Sequence, residues 1–155
     1  MRSMSDSALA VDPAPAPVDH PYNIPRLITF VRVAVMDALD RELAPYDISA
    51  AQLIVLAHLA NGEADSAAGL CKGISYDPGA MTRIIDRLEQ KHLIRRRPHP
   101  EDRRTVNLEL TPEGRALYPR LVAAKDAVQR QFLRGFGEAD VETLAGLLQR
   151  MLANR

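Results

Sequence analysis

The chain has 155 residues, 46% of them hydrophobic and 26% charged, with 20 basic and 20 acidic side chains and a net charge of zero. That length suits one domain, or one domain with an appended helical module, and it can bury a real core. A zero balance gives no overall attraction to a polyanion, so such a partner would have to be met by a local basic face. The single cysteine, Cys71, excludes an intramolecular disulfide framework and a multi-cysteine zinc site, and His20, His58, His92 and His99 are scattered without metal-ligand spacing. No metal or cofactor is expected. Asp12, Pro13, Pro15 and Pro17 interrupt the apolar run that a secretory leader needs. No stretch approaches the roughly 18 apolar residues of a membrane span, so the default location is cytoplasmic.

Residues 1–20, rich in Ser, Ala, Asp and Pro, read as a disordered tail. From Tyr22 the pattern turns helical: Ile24, Leu27, Ile28, Val31, Val35, Leu39 and Leu43 recur at spacings of three and four, and Pro45 ends the run. A second helix follows Ser49, with Leu53, Leu56 and Ala60 on one side, and stops at Asn61-Gly62. A third is expected over about residues 65–72, capped by Asp65 or Ser66 and broken by Gly73. The fourth has the clearest start in the chain. Asp77 can accept hydrogen bonds from the first turn, and Pro78 has no N–H to leave unpaired. Its buried stripe is Met81, Ile84, Ile85 and Leu88, with Thr82, Arg83, Asp86 and Arg87 toward the other side.

Two strands are expected next, over about 93–97 and 105–110. In the second, Val106, Leu108 and Leu110 alternate with Asn107 and Glu109. Pro98-His99-Pro100 between them suits a loop. Thr111 then caps a long helix reaching about Gly135, with Leu117, Leu121, Ala124, Val128 and Phe132 on one side. Pro119 is expected to weaken or kink its first turns. A last helix over about 139–153 carries Val141, Leu144, Leu148, Met151 and Leu152. The terminal helices bear more apolar surface than a small central core can cover. Surplus of that kind implies a partner, the simplest being a second copy. The expected organisation is a tail (1–20), an N-terminal dimerisation helix (21–48), a central lobe (49–111) and C-terminal dimerisation helices (112–155). The fold class is mainly α, with a small β wing of two or three strands.

The chemistry concentrates in one segment. Between Lys72 and Arg104 stand nine Lys or Arg against five acids, a local balance of +4. Gly79 in the first turn of the fourth helix would let its backbone approach a ligand closely. Thr82 and Arg83 could reach base edges or phosphates there, Arg on guanine being the commonest specific contact. In the run Arg95-Arg96-Arg97, the first and third side chains face one way and the second the other, which suits a strand facing phosphates. Arg103 and Arg104 sit at the loop tip beside Asp102. An arginine there can enter a narrow minor groove, and the carboxylate can hold it extended. Each feature alone is also compatible with an ordinary solvated surface.

Together these residues resemble the MarR family of bacterial transcriptional regulators, over about residues 22–153. The specific part is TRIIDRLEQKHLIRR from Thr82, followed by DRRTVNLELTPEG from Asp102. The resemblance implies a winged helix-turn-helix, a homodimer joined by N- and C-terminal helices, and a pseudopalindromic double-stranded DNA operator. It places residues from Ser75, Tyr76 and Asp77 through Gly79, Thr82 and Arg83 in the major groove and Arg103 or Arg104 in the minor groove. Arg87, Arg95 and Arg97 join the DNA-facing candidates, with Asp102 supporting the wing. One position departs from the family pattern: His92 stands where Gly is usual, at a left-handed helix end that His tolerates better than most residues.

Many members of the family bind small aromatic acids or phenols between the dimer helices and the DNA-binding lobe. That points to a repressor released by such an effector, with Arg26 a candidate for a carboxylate and Phe30, His58 and Tyr118 for a ring. Two alternatives stay open. The winged helix could bind protein or RNA instead, which leaves Arg103 and Arg104 without a purpose. Cys71 could act as a redox switch, helped by Lys72 but opposed by its place at a helix C-terminus. An enzyme is not expected. The chain shows no nucleophile–base pair at suggestive spacing, no phosphate-binding glycine loop and no metal cluster, and it has no Trp.

Overall fold

The computed structural model describes residues 22–74, 76–98 and 106–154. The expected tail, Ser75 and the loop bearing Asp102, Arg103 and Arg104 lie outside the described residues. The elements run α1 (Ile24–Leu43), a 3-10 turn (Ala44–Tyr46), α2 (Ala50–Ala60), α3 (Ala67–Ile74), α4 (Pro78–Gln90), β1 (Ile94–Pro98), β2 (Val106–Leu110), α5 (Pro112–Phe132) and α6 (Glu138–Ala153). Among the described residues the protein is mainly helical with one two-stranded antiparallel sheet, in which Ile94 faces Leu110, Arg96 faces Leu108 and Pro98 faces Val106.

Local chemistry sets each boundary. Asn23 caps α1 by accepting the Arg26 N–H at 3.0 Å. Asp47 adopts a left-handed conformation with φ 54° and turns the chain toward α2. Ser49 and Gln52 then form a reciprocal capping box, and Asp40 of α1 accepts a further free N–H, that of Ala50, at 2.6 Å. Gly62, at φ 69°, closes α2 where Asn-Gly predicts a stop.

Buried residues from every element except the 3-10 turn and α6 form one core. Leu43, Leu56, Leu70, Met81, Ile85, Leu88, Ile94 and Leu121 are its largest fully enclosed members. α5 packs along α1 and α2, while α4 is held between α2, α3 and β1. Beside the sheet, the Leu108 N–H donates to the Asp65 carbonyl at 2.6 Å. This contact extends the edge by one bond without forming a third strand among the described residues.

Three local expectations change. α3 starts at Ala67 behind Ser66, whose hydroxyl accepts the Gly69 N–H at 3.2 Å, and it continues through Gly73 to Ile74. A Cβ at Gly73 would lie 3.4 Å from the His58 ring, an ordinary contact, so neither a turn nor crowding requires glycine there. Pro98 ends β1 instead of opening the loop, since a terminal position at a two-stranded edge needs no further N–H. Pro119 sits inside an α5 that is continuous from Pro112 to Phe132, although it supplies no N–H for the Arg115 carbonyl.

The apolar stripe of α1 is only half used. Leu39 and Leu43 are buried, whereas Ile24, Leu27, Ile28 and Val31 are 39–58% exposed. α6 buries no residue, and Leu144, Leu147, Leu148, Met151 and Leu152 are all exposed. No single helix among the described residues is long and apolar enough to cross a membrane.

Candidate nucleic-acid interface

α4 is amphipathic in the sense its sequence predicts. Met81, Ile85 and Leu88 are buried, while Gly79, Thr82, Arg83 and Arg87 are exposed. Its start is firmly capped: Asp77 Oδ1 accepts the Gly79 N–H at 2.9 Å, and both carboxylate oxygens meet the Ala80 N–H at 3.3 Å. The helix start therefore already carries a counter-charge in Asp77. Thr82 Oγ1 donates back to the Pro78 carbonyl at 2.8 Å, and the Arg83 guanidinium lies near Gly79, where a Cβ would sit 3.9 Å from Nη1. Tyr76 packs partly against the core.

The other end of α4 closes on His92, at φ 56°. The His92 N–H donates to the Glu89 carbonyl at 2.9 Å and the Leu93 N–H to the Leu88 carbonyl at 3.0 Å, with Leu88 and Leu93 both buried beneath. This is the Schellman arrangement with its apolar contact. Thr111 locks the base of the wing to this end. Its N–H donates to the Leu93 carbonyl at 3.1 Å, its hydroxyl donates to the His92 carbonyl at 2.6 Å, and the same oxygen accepts the Gly114 N–H at 3.0 Å. Gly114 is required because a Cβ would collide with the Leu93 carbonyl oxygen.

The three wing arginines divide as strand alternation requires. Arg96, on the face shared with Ile94 and Leu108, turns onto α4 and pairs with Asp86 at 2.6 Å and with Glu89. The hydrogen bond it donates to Asp86 and the charges of Glu89 and Asp86 raise its pKa above the ordinary value, outweighing the opposing desolvation. Arg95 and Arg97 lie on the opposite face and both converge on Glu109, the cross-strand partner of Arg95. Arg95 Nε donates to Glu109 Oε1, and Arg97 Nε lies 2.6 Å from the same oxygen.

Arg87 lines a cleft with Asp40, Asp47, Ser49, Gln52 and Lys91 where α4 meets the α1–α2 connection. Lys91 Nζ spans it, donating to the Asp47 carbonyl and pairing with Asp47 Oδ2 at 3.0 Å. Glu109, Lys91–Asp47 and the Thr111–His92 bond escape sequence reasoning because each depends on the register or meeting of distant segments. The one available signal was Glu109 on the polar side of an alternating strand.

The effector candidates are not gathered into one site. Arg26 stacks over the Phe30 ring at 5.1 Å on the exposed part of α1. His58 is engaged on both ring nitrogens, with Nδ1 2.9 Å from the Ile54 carbonyl oxygen and Nε2 3.4 Å from Glu63. Tyr118 packs partly against the core. A mostly apolar pocket of about 290 Å³ between α1 and α5 is lined instead by Val31, Val35, Leu39, Val128 and Phe132. Cys71 is half-buried on the α3 side of a groove shared with Pro78 and Thr82. Among the described residues, no group of three His, Cys, Asp or Glu is placed to hold a metal.

A helix supported from behind by two others, followed by a two-stranded wing braced onto its C-terminal half, defines a winged helix-turn-helix protein. Residues 48–106 match the model of the MarR family. The multiple antibiotic resistance protein MarR of Salmonella typhimurium is 34% identical over 128 residues, spanning 82% of this chain and 89% of that protein. A cysteine-to-serine mutant of MarR from E. coli, solved in complex with operator DNA, superposes with a TM-score of 0.77 at 32% identity over 83% of this chain and 93% of that one. CouR from Rhodococcus jostii RHA1, bound to p-coumaroyl-CoA, superposes with a TM-score of 0.75 at 26% identity over 83% and 91% of the respective chains. The chain belongs to the MarR family of winged-helix transcription regulators.

Proposed function

We propose that the protein is a homodimeric repressor that binds a pseudopalindromic operator and is released by a small aromatic or phenolic ligand. The observation that carries this reading is the α4–wing unit, an exposed Thr82–Arg83–Arg87 helix face beside a basic β1, in a chain whose fold matches operator-bound MarR over 83% of its length. In this reading residues 49–111 form the DNA-binding lobe. α4 enters the major groove, Arg95 and Arg97 face phosphates, and Arg103 or Arg104, supported by Asp102, enters the minor groove. The exposed stripes of α1 and α6 supply the dimer interface, so residues 21–48 and 112–155 set the separation of two α4 helices that must match about 34 Å of DNA. An effector seated between those helices and the lobe would change that separation. The CouR complex shows that a protein of this fold accommodates an aromatic acyl ligand, and the apolar α1–α5 pocket offers a surface of suitable chemistry here. The reading is not enzymatic, in keeping with a family of transcription regulators.

The test is fluorescence anisotropy on the intergenic DNA beside the protein's own gene, at several salt concentrations, against a scrambled duplex. The expected result is a preference on the order of 1000-fold with a steep salt slope, lost when simple hydroxybenzoic acids are added. Replacing Arg103 and Arg104 by Ala should weaken operator binding about tenfold or more while leaving the dimer folded. Equal, weak binding of both duplexes would reject the operator reading, and unchanged affinity of the double variant would reject the minor-groove assignment.

A further inference from the structure

Glu109 stands out as an acid placed against the two arginines assigned to phosphates. It is one-third exposed, it lies directly across the sheet from Arg95, and Arg97 reaches the same carboxylate oxygen from two residues further along β1. Arg95 meets it by a hydrogen bond from Nε, and Arg97 by an ion pair whose nearest nitrogen is Nε. Among the described residues, the terminal Nη groups of Arg95 and Arg97 make no hydrogen bond. An arginine bound at Nε keeps the outer edge of its fork for a second anion. Two like charges side by side on one strand would otherwise repel each other and splay apart. Arg96 cannot substitute for either, since Asp86 and Glu89 hold it against α4.

We propose that Glu109 is a positioning residue for DNA: it holds Arg95 and Arg97 together by their Nε atoms so that their Nη groups converge on one backbone phosphate. The inference rests on the operator-binding reading above. It carries a signature opposite to simple electrostatics. Removing a negative charge from a DNA-facing surface should strengthen binding to any duplex. A carboxylate that orients two forks should instead, when lost, weaken the bound register on the operator, because phosphate contacts fix that register.

The experiment uses the full chain and Glu109→Gln. In the DNA-free protein, the Arg95 and Arg97 Nε–H resonances should be resolved and slow to exchange in the wild type and lost in the variant, with the thermal midpoint unchanged. By anisotropy, the variant should bind the operator duplex about fivefold more weakly yet bind the scrambled duplex at least as well as wild type. In an Arg95→Ala, Arg97→Ala background, Glu109→Gln should change operator affinity less than twofold. Equal strengthening on both duplexes, no change on the operator, or the same loss in the arginine-free background would each overturn the proposal. A wild type that never prefers the operator duplex overturns the DNA reading and this proposal with it, while the Nε–H signals still report independently whether Glu109 holds the two arginines.

Discussion

Two positions, one closing α4 and one in the first turn of α5, show how single residues decide geometry. His92 occupies a left-handed conformation that costs a residue with a Cβ about 1 kcal/mol relative to glycine. His92→Gly should therefore raise stability by about 0.5–1 kcal/mol in urea denaturation; a loss would mean that the imidazole makes a compensating contact. Gly114 is the reverse case. Ala is the better helix former by about 1 kcal/mol, but its Cβ would strike the Leu93 carbonyl oxygen. Gly114→Ala should thus destabilise by about 2 kcal/mol or more, and a stabilised variant would refute the close approach. Residue-level features of this kind were legible in proportion to how local they are. Asp77-Pro78, Thr111 and the helix end at residue 92 are readable because each acts on its own neighbours. Gly114 is not, because the Leu93 carbonyl that excludes a Cβ there belongs to a segment distant in the chain.

Among the elements, the wing and α4 behave as one piece. Arg96 ties β1 to the second half of α4 through Asp86 and Glu89, and Thr111 ties the end of β2 to the helix terminus. These ion pairs are substantially exposed, so Arg96→Ala should cost at most about 1 kcal/mol of global stability. Its effect should appear in geometry instead: faster amide exchange along β1 and operator affinity lowered several-fold. Unaltered exchange in β1 would show that apolar packing alone fixes the wing. The helices followed from apolar spacings of three and four, and the turning of Arg96 away from Arg95 and Arg97 from period-2 alternation in the sequence. The convergence of two arginines on Glu109 did not. Alternation fixes which face a residue takes but not its cross-strand partner, and the connection between the strands carries no hairpin signature that would set the register.

At the scale of the molecule, the apolar surface is divided unevenly. The central core is closed, while α1 and α6 leave long apolar faces uncovered. A second copy is the occupant proposed for these faces, and Leu144→Asp combined with Leu148→Asp should give a monomer by light scattering that has lost tight operator binding; an intact dimer would reject the α6 interface. The helical periodicity of α1 and α6 was plain in sequence, but the effector site was not. A pocket between helices depends on packing angles, and Arg26, Phe30, His58 and Tyr118 end up dispersed over three helices.

That α6 buries nothing also bears on how the chain comes to maturity. Every core residue lies between Ala38 and Val128, so a nascent chain has all it needs to close its own interior before residue 138 is made. In the proposed homodimer, pairing would then be a later event, governed by how many finished copies are present. A chain ending at residue 136 should still melt cooperatively, at a temperature indifferent to dilution, whereas the full chain should melt higher the more concentrated it is. Abundance would in this way set how much of the protein is competent to hold an operator.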